Sequence, residues 1–113
     1  MKSRINFRSV QVKQSRRKTI FKNRVYQAVK GIPKEKVITY KRVAELVGSP
    51  KAWRAVGNIL NKNKDPKIPC HRVIKSDRKI GGYKNGIKKK SFLLKKEGVK
   101  INKYGKIASR FIK

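Results

Sequence analysis

The chain has 113 residues, enough for one domain with one modest core. Lysine and arginine number 34 against 5 acids, a formal charge of +29, and repulsion on that scale calls for a polyanionic partner, nucleic acid first. One cysteine excludes an internal disulfide, one Cys with one His is too few for structural zinc, and no apolar run nears the length of a transmembrane helix.

Residues 1–17 are basic and polar, with Ile5, Phe7, Val10 and Val12 at mostly even spacing, the pattern of a short strand or an unfolded arm. Ser15-Arg16-Arg17-Lys18 could touch phosphate, although a solvated tail is the commoner fate of such a run. From Thr19 the period becomes helical: Phe21, Val25, Ala28 and Val29 form one stripe, Thr19 can cap it, and Gly31 and Pro33 end it. In Val37-Ile38-Thr39-Tyr40, Thr39 is the expected N-cap of a short second helix with Val43, Leu46 and Val47 inward and Gly48 at its end. Ser49-Pro50 is expected to open a third helix, Ser as cap and Pro at the first position. Its apolar stripe is Ala52, Ala55, Val56, Ile59 and Leu60.

Lys51, Arg54, Asn58, Asn61 and Lys62 fall on the other side of that helix, with no acid among them. Solvated faces usually mix signs, so this face reads as a nucleic-acid surface and the helix pair as helix-turn-helix. Gly57 weakens the helix, and a close approach by another helix or a DNA backbone would account for it. Asn63-Lys64-Asp65-Pro66 ends the helix. Val73-Ile74 and Ile80 flank Ser76-Asp77-Arg78-Lys79, the pattern of a hairpin wing. The stretch Gly81 to Gly86 is a flexible loop carrying Tyr83. Phe92, Leu93 and Leu94 belong to a final helix that stops near Glu97-Gly98. From Val99 the chain is basic, with scattered Ile101, Tyr104, Ile107, Phe111 and Ile112. The expected division is a basic arm at 1–18, a functional domain at 19–98 and a basic tail at 99–113. The expected class is mainly α (α+β), a winged-helix-like three-helix domain with a small hairpin wing.

The only cysteine and the only histidine are neighbours, in Ile68-Pro69-Cys70-His71-Arg72-Val73. A thiolate is a nucleophile, and a histidine can serve as the base that generates it. Adjacent side chains diverge on a regular strand or helix, so the pair can cooperate only through irregular backbone or a bridging water. Pro69 favours the irregular backbone. The alternative is a buried Cys acting as a small hydrophobe beside a satisfied His. Glu97, one of few acids, either orients a histidine or makes an ordinary ion pair. A free thiol is best kept in a reducing compartment, which with access to DNA means the cytoplasm, or the nucleus of a eukaryote.

Pro69-Cys70-His71-Arg72-Val73 resembles the active-site signature of the O6-alkylguanine-DNA alkyltransferases. The resemblance runs from about Phe21 to Gly98. It includes Val37-Ile38-Thr39-Tyr40, Pro50-Lys51-Ala52-Trp53-Arg54-Ala55-Val56-Gly57, Gly82-Tyr83 and Leu93-Leu94-Lys95-Lys96-Glu97-Gly98.

The resemblance implies an irreversible repair reaction without a cofactor, by a monomer acting on double-stranded DNA and on no membrane. The helix-turn-helix would enter the minor groove and the damaged guanine would be flipped out. Cys70 would accept the alkyl group, His71 would deprotonate it through a water, and Glu97 would orient His71. Tyr40 would donate to the departing base. Arg54 would fill the vacated stack, with Lys51, Asn58, Asn61 and Lys62 on DNA. Asn63 would be the hinge between recognition helix and cysteine loop. Tyr83, Pro69 and Gly82 would line the pocket. O6-alkylguanine is the implied lesion and O4-alkylthymine the second candidate. The competing readings are a non-catalytic lesion-sensing or architectural DNA-binding protein and a basic nucleic-acid chaperone.

Overall fold

The computed structural model describes residues 19–82 and 86–113. The possible strand and phosphate contacts of residues 1–18, and Tyr83, lie outside them.

The first helix, α1, covers 19–30 among the described residues. Thr19 is itself helical rather than a cap. The expected stripe holds: Val25 and Val29 are fully buried, with Phe21 and Ala28 packed beside them. A short strand, β1 (Ile38–Thr39), leads into α2 (Tyr40–Leu46). Thr39 caps α2 as expected, its hydroxyl accepting from the Arg42 N–H at 3.0 Å. Val43, Ala44 and Val47 face inward, but Leu46 is exposed, contrary to expectation.

The end of α2 shifts the start of the next helix. Gly48 adopts φ +84, its N–H donating to the Glu45 carbonyl and the Ser49 N–H to that of Ala44. This closes a Schellman motif. Ser49 is thereby used to finish α2, and its carbonyl accepts from the Ala52 N–H in a further turn. Helix α3 consequently spans Trp53–Lys62 with Ala52 as N-cap, not Ser49-Pro50. Val56 and Leu60 are buried and Ile59 half-buried, while Ala55 is exposed and belongs to the polar side. Gly57 faces α2: a Cβ there would lie 3.9 Å from the Tyr40 ring, an ordinary contact.

A 3-10 turn at Cys70–Arg72 runs straight into β2 (Val73–Ile74). β2 pairs in parallel with β1, Ile38 opposite Val73 and Thr39 opposite Ile74. The wing region does fold back, the Lys75 N–H donating to the Lys79 carbonyl. Its leading strand, however, pairs with β1. Ile80 donates to the Gly105 carbonyl, and Lys79 bridges to Lys106.

Helix α4 spans Ile87–Lys96 and ends, as expected, at Glu97-Gly98. Gly98 has φ +96, and the Gly98 and Val99 N–H groups close a second Schellman motif on Lys95 and Leu94. Residues 99–113 are folded back onto the domain. Ile101 bridges antiparallel to Ile107, and Val37 exchanges backbone bonds with Phe111 and Lys113.

The two short strands divide the interior. Ile38 and Val73 join Val25, Val29, Val43, Val56 and Leu60 in one core. Val37 and Ile74 join Ile80, Leu94, Val99 and Ile107 in a second. Burying these aliphatic side chains stabilises each core by about 1.5–3 kcal/mol per residue before entropy is counted. No helix among the described residues is long and apolar enough to cross a membrane.

Candidate active site and nucleic-acid interface

The loop after α3 brings the expected site residues together. Asn63, only 4% exposed, is the C-cap of α3 and opens a tight turn. Its Oδ1 accepts from the Asp65 N–H at 3.1 Å, and its Nδ2 donates to the Asp65 carbonyl at 3.0 Å. The same Nδ2 donates to Cys70 Sγ at 3.1 Å. An amide donor aimed at a buried sulfur favours the thiolate over the thiol.

Cys70 and His71 lie in a 3-10 turn, neither a regular strand nor an α-helix. The turn buries Cys70 while turning His71 and Arg72 toward α4. Both reach one carboxylate. His71 Nε2 lies 2.9 Å from Glu97 Oε2. Arg72 donates twice, Nε to Oε1 at 2.8 Å and Nη2 to Oε2 at 2.6 Å, and its Nη1 donates to the Ile32 carbonyl at 2.7 Å. Glu97 therefore makes the ion pair and holds the histidine at once. Burial raises the Glu97 carboxyl, but hydrogen bonds and charge from Arg72 and His71 outweigh it, leaving a net value below that of an ordinary glutamate. An ionised carboxylate only accepts, so His71 donates Nε2–H and keeps Nδ1 as the acceptor. Burial, with help from Arg72 and Lys90, lowers the His71 pKa against the pull of Glu97, which keeps the ring neutral near pH 7.

Tyr40 stands at the start of α2, its hydroxyl raised by burial and then by the charge of Cys70, so it remains a donor. Lys90, from α4, is fully buried. Its ammonium donates to the Val73 carbonyl at 2.6 Å and the Gly82 carbonyl at 3.2 Å, and lies 5.6 Å from the Tyr40 ring centroid. Burial lowers its pKa to about 8. Sequence reasoning gave no role to Lys90 or Arg72. The available signal for Lys90 was register, one turn before Leu94 on the inward side of α4. Pro69 is half-buried before the 3-10 turn, and Gly82 is exposed, contributing its carbonyl to Lys90.

On α3, Arg54, Ala55, Asn58, Asn61 and Lys62 are exposed, as is Lys51 just before it. Trp53 is 47% exposed, with the Arg54 guanidinium 5.1 Å from its ring centroid. Trp53 and Tyr40 line a cavity of about 360 Å³ with Lys41, Lys75, Ser76 and Asp77. The cationic face thus runs along one short helix, and the Cys70 cluster is tied to that helix's C-terminal turn through Asn63. Among the described residues, no group of three metal-ligating side chains is assembled.

Residues 20–99 match the family described as the 6-O-methylguanine DNA methyltransferase, DNA binding domain. Over 92 residues the chain is 45% identical to the methylated-DNA–protein-cysteine methyltransferase of Methanosarcina acetivorans, covering 80% of this chain and 59% of that protein. It is 40% identical over 82 residues to the bifunctional transcriptional activator/DNA repair enzyme Ada of Escherichia coli, covering 72% of this chain and 23% of that one. The chain therefore spans about three fifths or less of these relatives. Among solved structures, S. pombe Atl1 in complex with damaged DNA containing O6-carboxymethylguanine superposes with a TM-score of 0.70 at 31% identity, covering 82% of this chain and 94% of that one. Mycobacterium tuberculosis OGT in complex with DNA gives 0.66 at 39% identity, covering 69% and 48%. With the sequence match running from α1 through the Cys70 turn to Glu97 and Val99, the chain belongs to the 6-O-methylguanine DNA methyltransferase family.

Proposed function

We propose that this chain repairs alkylated DNA by moving the alkyl group from O6-alkylguanine to its own Cys70, once per molecule. The observation that carries this reading is the Asn63–Cys70 contact. It sets a buried sulfur, under an amide donor, at the end of the helix that bears the cationic face.

The duplex lies against Lys51, Arg54, Asn58, Asn61 and Lys62. The alkylated guanine leaves the stack, which costs about a few kcal/mol, and Arg54 occupies the gap. His71 takes the thiol proton through a water at Nδ1, while Glu97 holds Nε2–H. Sulfur then attacks the alkyl carbon: a C–S bond forms, the C–O bond breaks, and guanine departs with a hydrogen bond from Tyr40. Pro69, Gly82 and Tyr83 border the pocket. The thioether is stable, so no second turnover follows and no cofactor is consumed. A monomer suffices, because every residue invoked lies in one chain.

The test is mass spectrometry after incubation with duplex containing O6-methylguanine. The expected result is one methyl group on the Cys70 peptide, absent in Cys70→Ser, which still binds the duplex. A methyl group on another residue would sink the assignment. A second reading, lesion binding without transfer, is favoured by how fully the chain covers Atl1. Tight binding to the lesion with no mass gain in the wild type would establish it instead.

A further inference from the structure

A second concavity, of about 500 Å³, lies beyond the Tyr40–Trp53 cavity. Four cationic side chains line it, Arg78, Lys100, Lys106 and Arg110, with no acid among its lining residues. None of the four makes an ion pair among the described residues; the acids with partners are engaged by Arg42, His71, Arg72 and Lys75. Asp77 feels the charge of Lys106, though weakly. It accepts from the Lys79 N–H and sits 3.9 Å from Lys75, outside the lining. The four cations line one concavity with no acid in its lining, an arrangement that favours an anion there.

The backbone beneath them is fixed. Asn102 Oδ1 accepts from the Tyr104 and Lys106 N–H groups at 2.9 and 3.0 Å, the Ile107 N–H donates to the Arg78 carbonyl at 2.9 Å, and Lys79 bridges to Lys106. Arg78 and the 100–110 segment are thus tied into one surface before any ligand arrives. One turn lines both cavities: Lys75, Ser76 and Asp77 face the cavity beside α3, and Arg78 faces the basin. A polyanion lying across Trp53 and Lys41 reaches the basin by crossing that turn. Three of the four cations, Lys100, Lys106 and Arg110, lie beyond residues 20–99, the span of the family match.

We infer that this basin is a second phosphate-binding site, which takes the sugar-phosphate backbone of the duplex flanking the bases read by α3. The inference rests on the DNA-binding part of the proposed function and is independent of alkyl transfer. It extends the footprint of the protein along DNA by a sequence-independent contact, which adds affinity and salt dependence but no base preference.

The experiment measures the salt dependence of binding to an undamaged duplex of about 20 base pairs by fluorescence anisotropy. The triple variant Lys100→Gln, Lys106→Gln, Arg110→Gln is compared with a control triple, Lys30→Gln, Lys34→Gln, Lys96→Gln. The control makes the same change in net charge at exposed positions lining neither cavity. The basin variant is expected to lower the slope of log K against log salt by about two to three, and the control by less than about one. Equal losses from both triples would mean that only net charge matters and would overturn the proposal, as would an unchanged slope in the basin variant. If the basin triple melts well below wild type, the single change Lys100→Gln, at an exposed side chain, carries the test through a slope loss of about one. Failure of methyl transfer to Cys70 would leave these slopes, and hence this inference, untouched.

Discussion

Replacing Glu97 by Gln separates what this carboxylate does for stability from what it does for chemistry. In the wild type it accepts from Arg72 at 2.8 and 2.6 Å and from His71 at 2.9 Å, all in a largely buried setting. Glutamine keeps one acceptor oxygen: set against Arg72 Nε, it leaves Arg72 Nη2 and His71 Nε2–H, which share Oε2 in the wild type, facing an NH2 group, and the Arg72 guanidinium loses its counter-charge. Charge-assisted bonds contribute about 1.5–3 kcal/mol each, and breaking a buried pair costs about 3–5. The Ile32 carbonyl still holds Arg72 Nη1, so the expected loss is about 2–4 kcal/mol, read by urea denaturation at pH 7.

The pH dependence of that loss checks its origin. The folded Glu97 pKa is depressed below the ordinary 4.5, so its contribution is fully present above that value and disappears as pH falls through the folded value. The stability gap between wild type and Glu97→Gln should therefore close on acidification. Single-turnover methyl transfer, measured where both proteins are folded, should fall by about 10²-fold or more because His71 loses its orienting acceptor. Arg72→Met provides the contrast: it should destabilise similarly yet transfer nearly as fast, since Glu97 still holds His71. A gap below about 1 kcal/mol, a gap independent of pH, or equal loss of transfer rate in both variants would refute the reasoning.

Two further outcomes are expected. Lys90 binds its proton less tightly in the folded state, with a pKa near 8 against 10.5, so between those values the unfolded chain holds more protons and stability rises with pH. Relative to Lys90→Met, the wild type should gain up to about 3 kcal/mol across that window; parallel denaturation curves would contradict it. Arg54→Ala should slow transfer strongly on a paired duplex, less on a mismatched one and least on the free O6-methylguanine base, because an already unstacked base needs no filler. Equal fractional losses on all three, in single-turnover assays, would remove the gap-filling role.

The sequence made the local features readable and hid the distant ones. Thr39, Gly48 and Gly98 are recognisable as helix ends because caps are decided by a few neighbouring residues. The start of α3 was misplaced because Ser49-Pro50 looks like a helix start in isolation. Its N–H and carbonyl are already committed to finishing α2 and forming the next turn. Leu46 and Ala55 were assigned inward by hydrophobicity, where seven- and ten-residue helices leave room for only one or two buried turns. The parallel pairing of Ile38 with Val73 closes across α2 and α3 and leaves no local signature. At the site, Cys70, His71, Glu97, Asn63 and Tyr40 were named through motif resemblance; the structure joins Asn63 to Cys70 and His71 to Glu97 by hydrogen bonds. Lys90 was hidden by its company in a run of lysines that are otherwise exposed. The 99–113 segment was read as a tail because its apolar residues follow no single period. They serve a hairpin and a bridge to Val37 rather than one regular element.

The four-residue parallel pair of β1 and β2 has a consequence for how the molecule opens. Because Val73 and Ile74 of β2 enter different cores, as do Val37 and Ile38 at the start of β1, neither core can come apart without uncovering residues that neighbour the other. Amide protons at 73 and 74 should then exchange with solvent only through the largest openings of the domain, while those of the exposed turns exchange through local ones. The Cys70–Arg72 turn is joined directly to this slow-exchanging seam. Cys70 is thereby mounted beside the part of the chain expected to fluctuate least, and if it accepts an alkyl group as proposed, the motions that admit the base are expected in the surrounding loops.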